Sequence, residues 1–546
     1  MRHDVSYAVR QIRLHPVPAA LVVLAFALGI GLNTALFTLV NSILLRSMPG
    51  SDNGRVVAIW ERTPRAEFSS VSGEAIREWR SQAKSFEAIE AYTLEPVNLT
   101  GVDPPEVLSV LEVSASYFQL LRAQPALGRA FRQGEDQPGA PRLAVLSHDF
   151  WQRRFGAGRT VLGRTITLDR SPHVIVGVMP AGFRPAGPET AVYLPLVMEE
   201  KRAWSFWVIA RLNPGVSLAM AQSEMNVVAS RMRAAGPAGR RDVSIGVLPI
   251  QELWVKDFRA ALWLLMGATG LVLLIACANI ANLLLARGAS RAREFAIRLA
   301  VGASRGRLVR QLTIEGLLLA LVGGAFGLLL AQWTITAIVR LGVEGLPLFE
   351  DPRLDVSVFA FAASVSLLTG IAASAGPAFA ATRREHTASR FGRQVRPARL
   401  LVVSEFAIAF VLAVSATLLV RSFTRLEGID LGFDPQRLLT MQLSLPPSPQ
   451  NDGRPMAALY NRILERIQRT AGVEAAAAAT RLPVGGVGIT LETRVANRAA
   501  EESKDHIATQ ASIVSTGYFA TLRIPIRRGR LFNPHDRRGS TEAVII

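Results

Sequence analysis

The chain has 546 residues, of which half are hydrophobic and 19% are charged. One soluble core does not need so much apolar sequence, and the excess lies in runs long enough to cross a bilayer, which excludes a wholly soluble protein. The net charge of +18 does not indicate nucleic acid, because membrane spans divide the basic residues, so anionic lipid is the preferred partner. The single cysteine, Cys277, excludes an intrachain disulfide.

Residues 1–18 predict a cytoplasmic amphipathic leader helix on the inner membrane surface. Apolar residues from Val5 to Ile12 recur at helical spacing, and the arginines lie off that stripe. Pro16 and Pro18 are expected to break this helix before the first span. A frayed basic leader is the alternative interpretation.

Five apolar segments predict membrane-spanning helices. Each contains about 20 or more mainly apolar residues, which is enough at a rise of ~1.5 Å per residue. The first segment is too long for a signal-peptide core and lacks a small-residue cleavage pattern, so we expect it to be retained. The predicted spans are residues 19–45, 260–286, 308–340, 358–382 and 400–420.

The distribution of arginine among the segments outside the spans predicts the orientation of the spans in the membrane. Residues 1–16, 287–311 and 383–399 together hold 16 arginines and three acidic residues. The positive-inside rule makes these segments cytoplasmic, the last being a linker, and places residues 46–259 and 421–546 on the far side.

The first exterior domain, residues 46–259, has the pattern of a mixed α/β fold with one or two subdomains. Alternating apolar residues predict strands, and segments between turn formers predict helices. The predicted strands are 55–60, 165–168 and 173–178, and the predicted helices are 74–86 and 217–232.

A segment of this exterior domain recurs 401 residues later. Each copy follows a long apolar segment, so a membrane helix and its exterior domain were duplicated together, and residues 421–546 form a second, incomplete exterior domain. There we predict a strand at 437–443, a helix at 456–469, and a strand or helix at 475–479. The recurring residues are Val113, Ser114, Tyr117, Phe118, Leu121, Arg122, Gly128, Arg129 and Phe131, which return as Val514, Ser515, Tyr518, Phe519, Leu522, Arg523, Gly529, Arg530 and Phe532.

The loop 287–307, between the second and third spans, predicts a short amphipathic helix over about 291–301. Phe295 and Leu299 fall on one face, and Glu294 and Arg298 on another. Gly302 would end this helix, and Ser304 would cap the next one. Such a helix, held between two membrane helices, can receive force from a cytosolic partner. The alternative is a solvated basic loop.

Small and polar residues predict close packing of the first and third spans. The first span contains Gly29, Gly31 and Asn33, and the third contains the G-x-x-x-G step Gly323 and Gly327. A substrate path is the alternative. Mid-span carboxylates, expected of an ion-coupled carrier, are missing from the sequence of all five spans.

Catalytic and metal motifs are weak in this sequence. Residues 302–306 match G-x-S-x-G but follow a helix in an arginine-rich loop, so we predict no catalytic residue there. The seven histidines show no metal-ligand spacing, so we predict no metal site. No G-x-x-x-x-G-K-[ST] motif occurs, and the four lysines follow no glycine-rich loop, so this sequence predicts no nucleotide site of that type.

Two groups of motifs resemble a known class. The segment from Asn279 to Gly324, with its core LLLARGASRAREFAIRLAVGASRGRLVRQL, resembles the permease domain of the MacB and FtsX class of ABC transporters. The segments DFWQRRFG, VLGRTITLD, VIVGVMPAGFRP and RLNPGVSL are similar to that class's periplasmic core domain. The junction at 399–435 resembles the duplicated acidobacterial orphan permeases. Each half of those proteins has four spans, so the chain is expected to be a C-terminally truncated fragment.

The resemblance implies an α-helical integral membrane protein with mixed α/β extracytoplasmic domains, in the inner membrane of a bacterial cell. It implies no enzyme activity in this chain: cytosolic ABC ATPase subunits would supply ATP hydrolysis, and this chain would convert it into movement of the periplasmic domains. A periplasmic adaptor or cargo, and an intrachain pseudo-dimer of the two halves, are further expectations. The expected docking residues for the ATPase are Arg291, Arg293, Glu294, Phe295, Arg298, Leu299, Gly302, Ser304 and Arg305.

Two alternatives stay open at this stage. In the first, the chain is a non-transporting regulator or scaffold. The ATPase subunits would then move the exterior domains to activate an envelope enzyme or sensor. An orphan copy without a motor would bind no ATPase subunit. The identity of what binds residues 46–259 separates export from regulation.

Overall fold

The chain forms two compact units in a computed structural model. The first contains residues 1–55, 181–189 and 249–422, and the second contains residues 56–180, 190–248 and 423–546. The structure describes residues 10, 13–14, 16–46, 54–63, 66–101, 106–185, 190–198, 206–235, 243–290, 297–298, 301, 304–341, 352–382, 395–443, 454–483, 489–493, 507–533, 535–536 and 543–545.

The first unit is helical. Within the described residues, five helices are long and apolar enough to cross a membrane. They are α1 (Pro16–Val40, continued by a π-helical turn at Asn41–Leu45), α6 (Ile250–Ser290), α7 (Arg305–Arg340), α8 (Val356–Thr382) and α9 (Val395–Glu427).

Helix α1 begins at Pro16, three residues before the predicted start of the first span, and Pro16 and Pro18 lie in its first turn. Proline is tolerated there because the first N–H groups of a helix have no intrahelical acceptor. The predicted leader helix over 1–18 falls largely outside the described residues.

Helices α1, α6, α7 and α8 pack into one bundle. The core of the bundle is formed by Val22, Phe26 and Ile30 of α1 with Ile280 of α6 and Leu319 of α7. Towards the end of α1, Phe37 stacks on Phe361 of α8, with ring centroids 4.0 Å apart. By contrast, the apolar window of α9 at Val402–Glu427 has no buried residue among the described part of the chain.

The first exterior domain is built on one mixed sheet of eleven strands. Its order is β11-β1-β10-β3-β4-β9-β6-β8-β5, with β2 paired to β1, and β7 paired to β3 and β8. The strands are β1 (Val56–Thr63), β2 (Ala66–Ser69), β3 (Phe86–Thr100), β4 (Glu106–Val113), β5 (Leu127–Gly128), β6 (Leu143–Leu146), β7 (Thr165–Leu168), β8 (Ser171–Val178), β9 (Thr190–Pro195), β10 (Trp207–Leu212) and β11 (Ser244–Pro249).

Helices cover this sheet over two separate cores, which fits the expectation of one or two subdomains. They are α2 (Gly73–Gln82), α3 (Tyr117–Leu120), α4 (His148–Phe155) and α5 (Leu218–Ala235). The first core packs Trp79 of α2 and Met225 of α5 against β1 and β10. The second packs Phe150 of α4 against β4, β6, β8 and β9. Strand β3, 15 residues long, contributes to both cores.

The predicted helix over 74–86 is too long. Helix α2 is capped by the Ser72 hydroxyl and ends at Gln82, and Ala83 already has an extended backbone. The ladder of β3 then begins at Phe86, opposite Leu212. Apolar residues at 83 and 86 fit a helical pattern, but pairing with β10 determines the conformation from Phe86 onward.

The second exterior domain contains α10 (Arg454–Gln468), β12 (Ile489–Thr493), β13 (Ile507–Ala511) and α11 (Tyr518–Thr521). The helix predicted at 456–469 is confirmed as α10. The strand predicted at 437–443 is wrong, because residues 438–443 form neither helix nor strand. The segment 475–479 is neither helix nor continuous strand, and Ala479 forms a single bridge to Val514.

The repeated segment has the same local structure in both copies. In each, a serine hydroxyl accepts a backbone N–H from another segment, an arginine at the end of a short helix has positive φ, and a second arginine pairs with both oxygens of a carboxylate. The equivalent features are Ala91 N–H to Ser114 and Ala478 N–H to Ser515 (both 3.0 Å), Arg122 (φ 52°) and Arg523 (φ 55°), and the pairs Arg129–Glu135 and Arg530–Asp536.

Candidate functional site

The predicted coupling loop is described only in part. Arg291, Arg293, Glu294, Phe295, Leu299 and Gly302 lie outside the described residues. Ile297 and Arg298 are helical, and Val301 N–H donates to Ile297 O at 3.0 Å. Arg298 donates to the Gln311 side chain of α7 at 3.3 Å.

Ser304 begins the helix that follows this loop. Its hydroxyl accepts the Arg307 N–H at 3.3 Å, so Ser304 is the N-cap of α7, as its position predicted. Arg305 is the first residue of α7.

The predicted packing glycines bring α1 and α7 together. A Cβ placed on Gly31 would lie 2.9 Å from Gly327 O, and one placed on Gly327 would lie 3.1 Å from Ala27 O. A Cβ on Gly323 would overlap the Cβ of Phe26. Only glycine at these positions allows the two backbones to approach so closely.

Gly29 and Asn33 face α6. A Cβ on Gly29 would lie 2.8 Å from Leu273 Cδ1. One turn later, Asn33 Nδ2 donates to Thr269 O at 2.9 Å, and the Thr269 hydroxyl lies 3.1 Å from Asn33 Oδ1. This reciprocal pair is an interhelical hydrogen bond inside an apolar bundle, where both polar groups need a partner. The structure therefore places α1 in direct contact with both α6 and α7.

A group of polar side chains lies at the end of the bundle where α1 ends and α6 begins. Along the chain, the first exterior domain lies between these two helices. We call Asn41, Arg46, Gln251 and Asp355 the outer-end cluster. Asp355 Oδ2 accepts from Asn41 Nδ2 at 3.0 Å and from Arg46 Nη2 at 2.7 Å. Gln251 Nε2 donates to Leu44 O at 3.1 Å and to Arg46 O at 2.7 Å. The cluster connects the ends of α1, α6 and α8.

Asp355 also caps α8, because its Oδ1 accepts the Val358 N–H at 2.8 Å. Partial burial acts to raise the pKa of Asp355, but the bonds from Val358 N–H, Arg46 and Asn41 outweigh it and lower the pKa below the ordinary value of 3.8. Asp355 is therefore a carboxylate at neutral pH and carries a full negative charge opposite Arg46.

Sequence reasoning missed this cluster as a site. Asp355 is 309 residues from Arg46 and 314 from Asn41, and a lone aspartate before an apolar helix indicates only a cap. No short-range pattern connects such positions.

Among the described residues, no group of three or more histidine, cysteine, aspartate or glutamate side chains is placed to hold a metal ion.

Two families match this chain in consecutive segments. Residues 19–228 match the MacB-like periplasmic core domain, and residues 266–425 match the FtsX-like permease C-terminal domain. The first match covers α1 and most of the first exterior domain, and the second covers α7, α8 and most of α6 and α9.

Two curated relatives are ABC proteins. The probable syringafactin export ATP-binding/permease protein SyfD of Pseudomonas syringae pv. tomato is 24% identical over 276 residues, which are 47% of this chain and 39% of that protein. The macrolide export ATP-binding/permease protein MacB of Burkholderia thailandensis is 25% identical over 237 residues, which are 40% of this chain and 34% of that protein. The matches thus span well under half of these relatives.

Among solved structures, the periplasmic region of MacB from Actinobacillus actinomycetemcomitans is similar over 38% of this chain and 95% of that chain, with 13% identity and a TM-score of 0.30. The two family matches agree with the five apolar helices, which are consistent with membrane spans, and with the α/β domain between the first two helices. The chain thus contains a MacB-like periplasmic core domain at residues 19–228 and an FtsX-like permease domain at residues 266–425, the two domains of a MacB/FtsX-like permease.

Proposed function

We propose that this chain is the transmembrane subunit of an ABC-type export or mechanotransmission complex. In this proposal, ATP hydrolysis by separate cytosolic subunits moves the exterior domains, and the membrane helices carry the movement. The observation that carries the proposal is the order of the two family matches, a periplasmic core domain followed by a permease domain in one chain.

The arrangement of α1 and α6 supports this role. Helix α1 precedes the first exterior domain in the chain, and α6 follows it. The Asn33–Thr269 pair and the outer-end cluster connect the two helices. Helix α1 also packs on α7 through Gly31 and Gly327. Since α7 begins at the predicted cytoplasmic loop, a displacement at that loop would have a close-packed route through α7 to α1.

We further propose that the loop 291–305 is the docking segment for the ATPase, with Glu294 and Arg298 among its contacts. The sequence places charged and apolar residues on different faces there. The sequence also holds no G-x-x-x-x-G-K-[ST] motif, which fits ATP binding by a partner subunit.

The remaining parts of the proposal follow from the sequence. The arginine distribution favours the inner membrane of a bacterial cell with the exterior domains in the periplasm, where an adaptor or cargo would bind. The repeat supports membership of the duplicated, orphan-permease type, in which two halves form an intrachain pseudo-dimer above the ATPase subunits.

The test is ATP hydrolysis by a candidate cytosolic ABC subunit from the same genome, reconstituted in lipid with this permease. We expect the wild-type permease to stimulate hydrolysis, and we expect Glu294→Lys and Arg298→Glu each to abolish the stimulation. Arg340→Glu is the matched control, because it reverses a charge at the other end of α7 and is expected to leave stimulation intact.

Two results would count against the proposal. If the permease forms no complex with any ABC subunit of that genome, the ATP-driven role is wrong. If stimulation occurs but is equally strong in both loop variants, the role stands and the docking segment is elsewhere.

A further inference from the structure

The last turn of α1 has an unusual hydrogen-bond pattern. Arg46 N–H donates to Asn41 O at 2.8 Å, an i to i+5 bond, so Asn41–Leu45 form a π-helical turn with one residue more than a regular α-helical turn. This turn is not at a frayed end, because Asn41, Ser42 and Ile43 are all buried and Ile43 packs with Val255 and Leu262 of α6.

The outer-end cluster holds both ends of this turn. Asp355 binds Asn41, the first residue of the turn, and Arg46, the residue directly after it. Gln251 donates to the carbonyl oxygens of Leu44 and Arg46, and carbonyls at a helix end need such donors from outside the helix. The bonds that Asp355 accepts thus span the π turn from one end to the other.

A regular α-helix would break this arrangement. In that form Leu45 N–H would take the bond to Asn41 O that Arg46 N–H now makes, and the residues from Leu45 onward would rotate by about 100° around the helix axis. Arg46 would then leave Asp355. The extra residue of the π turn is thus compatible with the Arg46–Asp355 pair, and the α form is not.

We propose that the end of α1 is a two-position element, which the outer-end cluster holds in the π form and which changes to the α form when Asp355 releases Arg46. The change alters the direction in which the chain leaves the bundle after Arg46. This inference goes beyond the proposed ATP-driven role and does not depend on it, because it concerns this chain alone.

One variant removes the bonds from Asp355 to Arg46 and Asn41 but keeps the cap of α8. In Asp355→Asn, the side-chain oxygen still caps α8 at Val358 N–H, since asparagine caps as well as aspartate. The amide nitrogen then faces Arg46 and Asn41, which are both donors, so those two bonds are lost. A second variant, Gln251→Ala, frees the carbonyls of Leu44 and Arg46 without touching α8.

Deletion of Ser42 provides the matched control background. It removes the extra residue, so a regular α-helical turn then bonds the Arg46 N–H to Asn41 O and keeps Arg46 near Asp355. With Ser42 deleted, the turn no longer has a π form and an α form to choose between. Loss of the cluster's hydrogen bonds should then loosen the side chains of the cluster without rotating the chain after the turn.

The experiment is a spin-label distance measurement on the full chain in lipid nanodiscs. Labels are attached to cysteines at the exposed positions Leu45 and Leu341, in a Cys277→Ala background. We expect one main distance for the otherwise unchanged chain, and a second population for Asp355→Asn and for Gln251→Ala. With Ser42 deleted, Asp355→Asn should give a single distance.

Either of two results would overturn the inference. One is an unchanged single distance in both Asp355→Asn and Gln251→Ala. The other is the same second population in the Ser42-deleted background, which would mean general loosening and not a change of helix type. If Asp355→Asn does not insert, Gln251→Ala with and without the deletion decides the question.

Discussion

Gly31 and Gly327 meet backbone to backbone where α1 crosses α7. A Cβ on Gly31 would come within 3.2 Å of the Gly327 Cα and within 2.9 Å of its carbonyl oxygen. These neighbours are main-chain atoms, which cannot rotate aside as a flexible side chain can. The distance between the two helices is therefore determined by the absence of side chains at these two positions.

We predict that Gly31→Ala and Gly327→Ala each lower the stability of the bundle by about 1–3 kcal/mol, because the added methyl forces the helices apart. Thermal unfolding of the full chain in nanodiscs measures this loss. Gly270→Ala in α6 is the control, because a Cβ there meets nothing within 4 Å. The control should be neutral or more stable, since alanine favours helix over glycine by about 1 kcal/mol. Equal effects at all three positions would contradict the close contact.

The repeat provides a matched pair of glycines for a second prediction. Gly128 has φ +72° and a Cβ there would overlap Val176 O, whereas Gly529 has φ +91° and open space around it. At Gly529, alanine should cost about 1 kcal/mol for the left-handed backbone alone. At Gly128, the overlap should add about 1–3 kcal/mol. Hydrogen exchange of the amides near each glycine gives the two local opening free energies, and a smaller loss at Gly128 would refute the argument.

A third prediction concerns the Asn33–Thr269 pair. A double-mutant cycle with Asn33→Leu and Thr269→Val should give a coupling energy of about 0.6 kcal/mol, and at most about 1.7 kcal/mol, as for other hydrogen bonds between membrane helices. Thr334→Val is the control for loss of a hydroxyl, because Thr334 bonds to Leu330 O of its own helix. The cycle of Asn33→Leu with Thr334→Val should show no coupling, and coupling of similar size in both cycles would disprove a specific pair.

A fourth prediction concerns Glu90, which is buried in β3 and pairs with Arg80 at 2.9 Å. Burial raises the pKa of Glu90 above its ordinary value of 4.5, and Arg80, which lowers it, does not compensate fully. The folded state therefore binds the Glu90 proton more tightly than the unfolded state does. The free energy of unfolding should fall as the pH rises through the range from 4.5 to the folded pKa.

Glu90→Gln removes this part of the pH dependence. Relative to wild type, the variant should therefore gain stability above that range, and the gain should vanish below pH 4.5. Thermal unfolding of the full chain at a series of pH values measures the difference. Glu87→Gln, at an exposed glutamate of the same strand, is the control. A gain for Glu90→Gln that does not depend on pH would show that Glu90 does not titrate in this way.

Much of this fold could be predicted from the sequence, because its strongest signals are local. Membrane helices are long apolar runs, and the repeated segment keeps both its residues and its contacts, from Ser114 to Arg129 in one copy and Ser515 to Arg530 in the other. Ser304 was predictable as a cap because a cap depends only on its own helix.

The errors and omissions have a common physical cause, which is dependence on a distant partner. Residues 437–443 have strand composition, but a strand requires a neighbour to pair with. Helix α2 ends early because β10 pairs with the residues from Phe86 onward. Asp355 was missed because its two partners lie more than 300 residues away in the sequence. Periodicity and propensity contain no information about such pairings.

Strand β3 has a mechanical consequence for the first exterior domain. It pairs without interruption with β4 from Tyr92 to Leu99, while its first half pairs with β10, so the same strand forms part of both cores. A load applied along β3 acts on its ladder hydrogen bonds in shear, so many must fail together rather than one at a time. The two cores are therefore joined by one continuous, hydrogen-bonded strand and not by a loop.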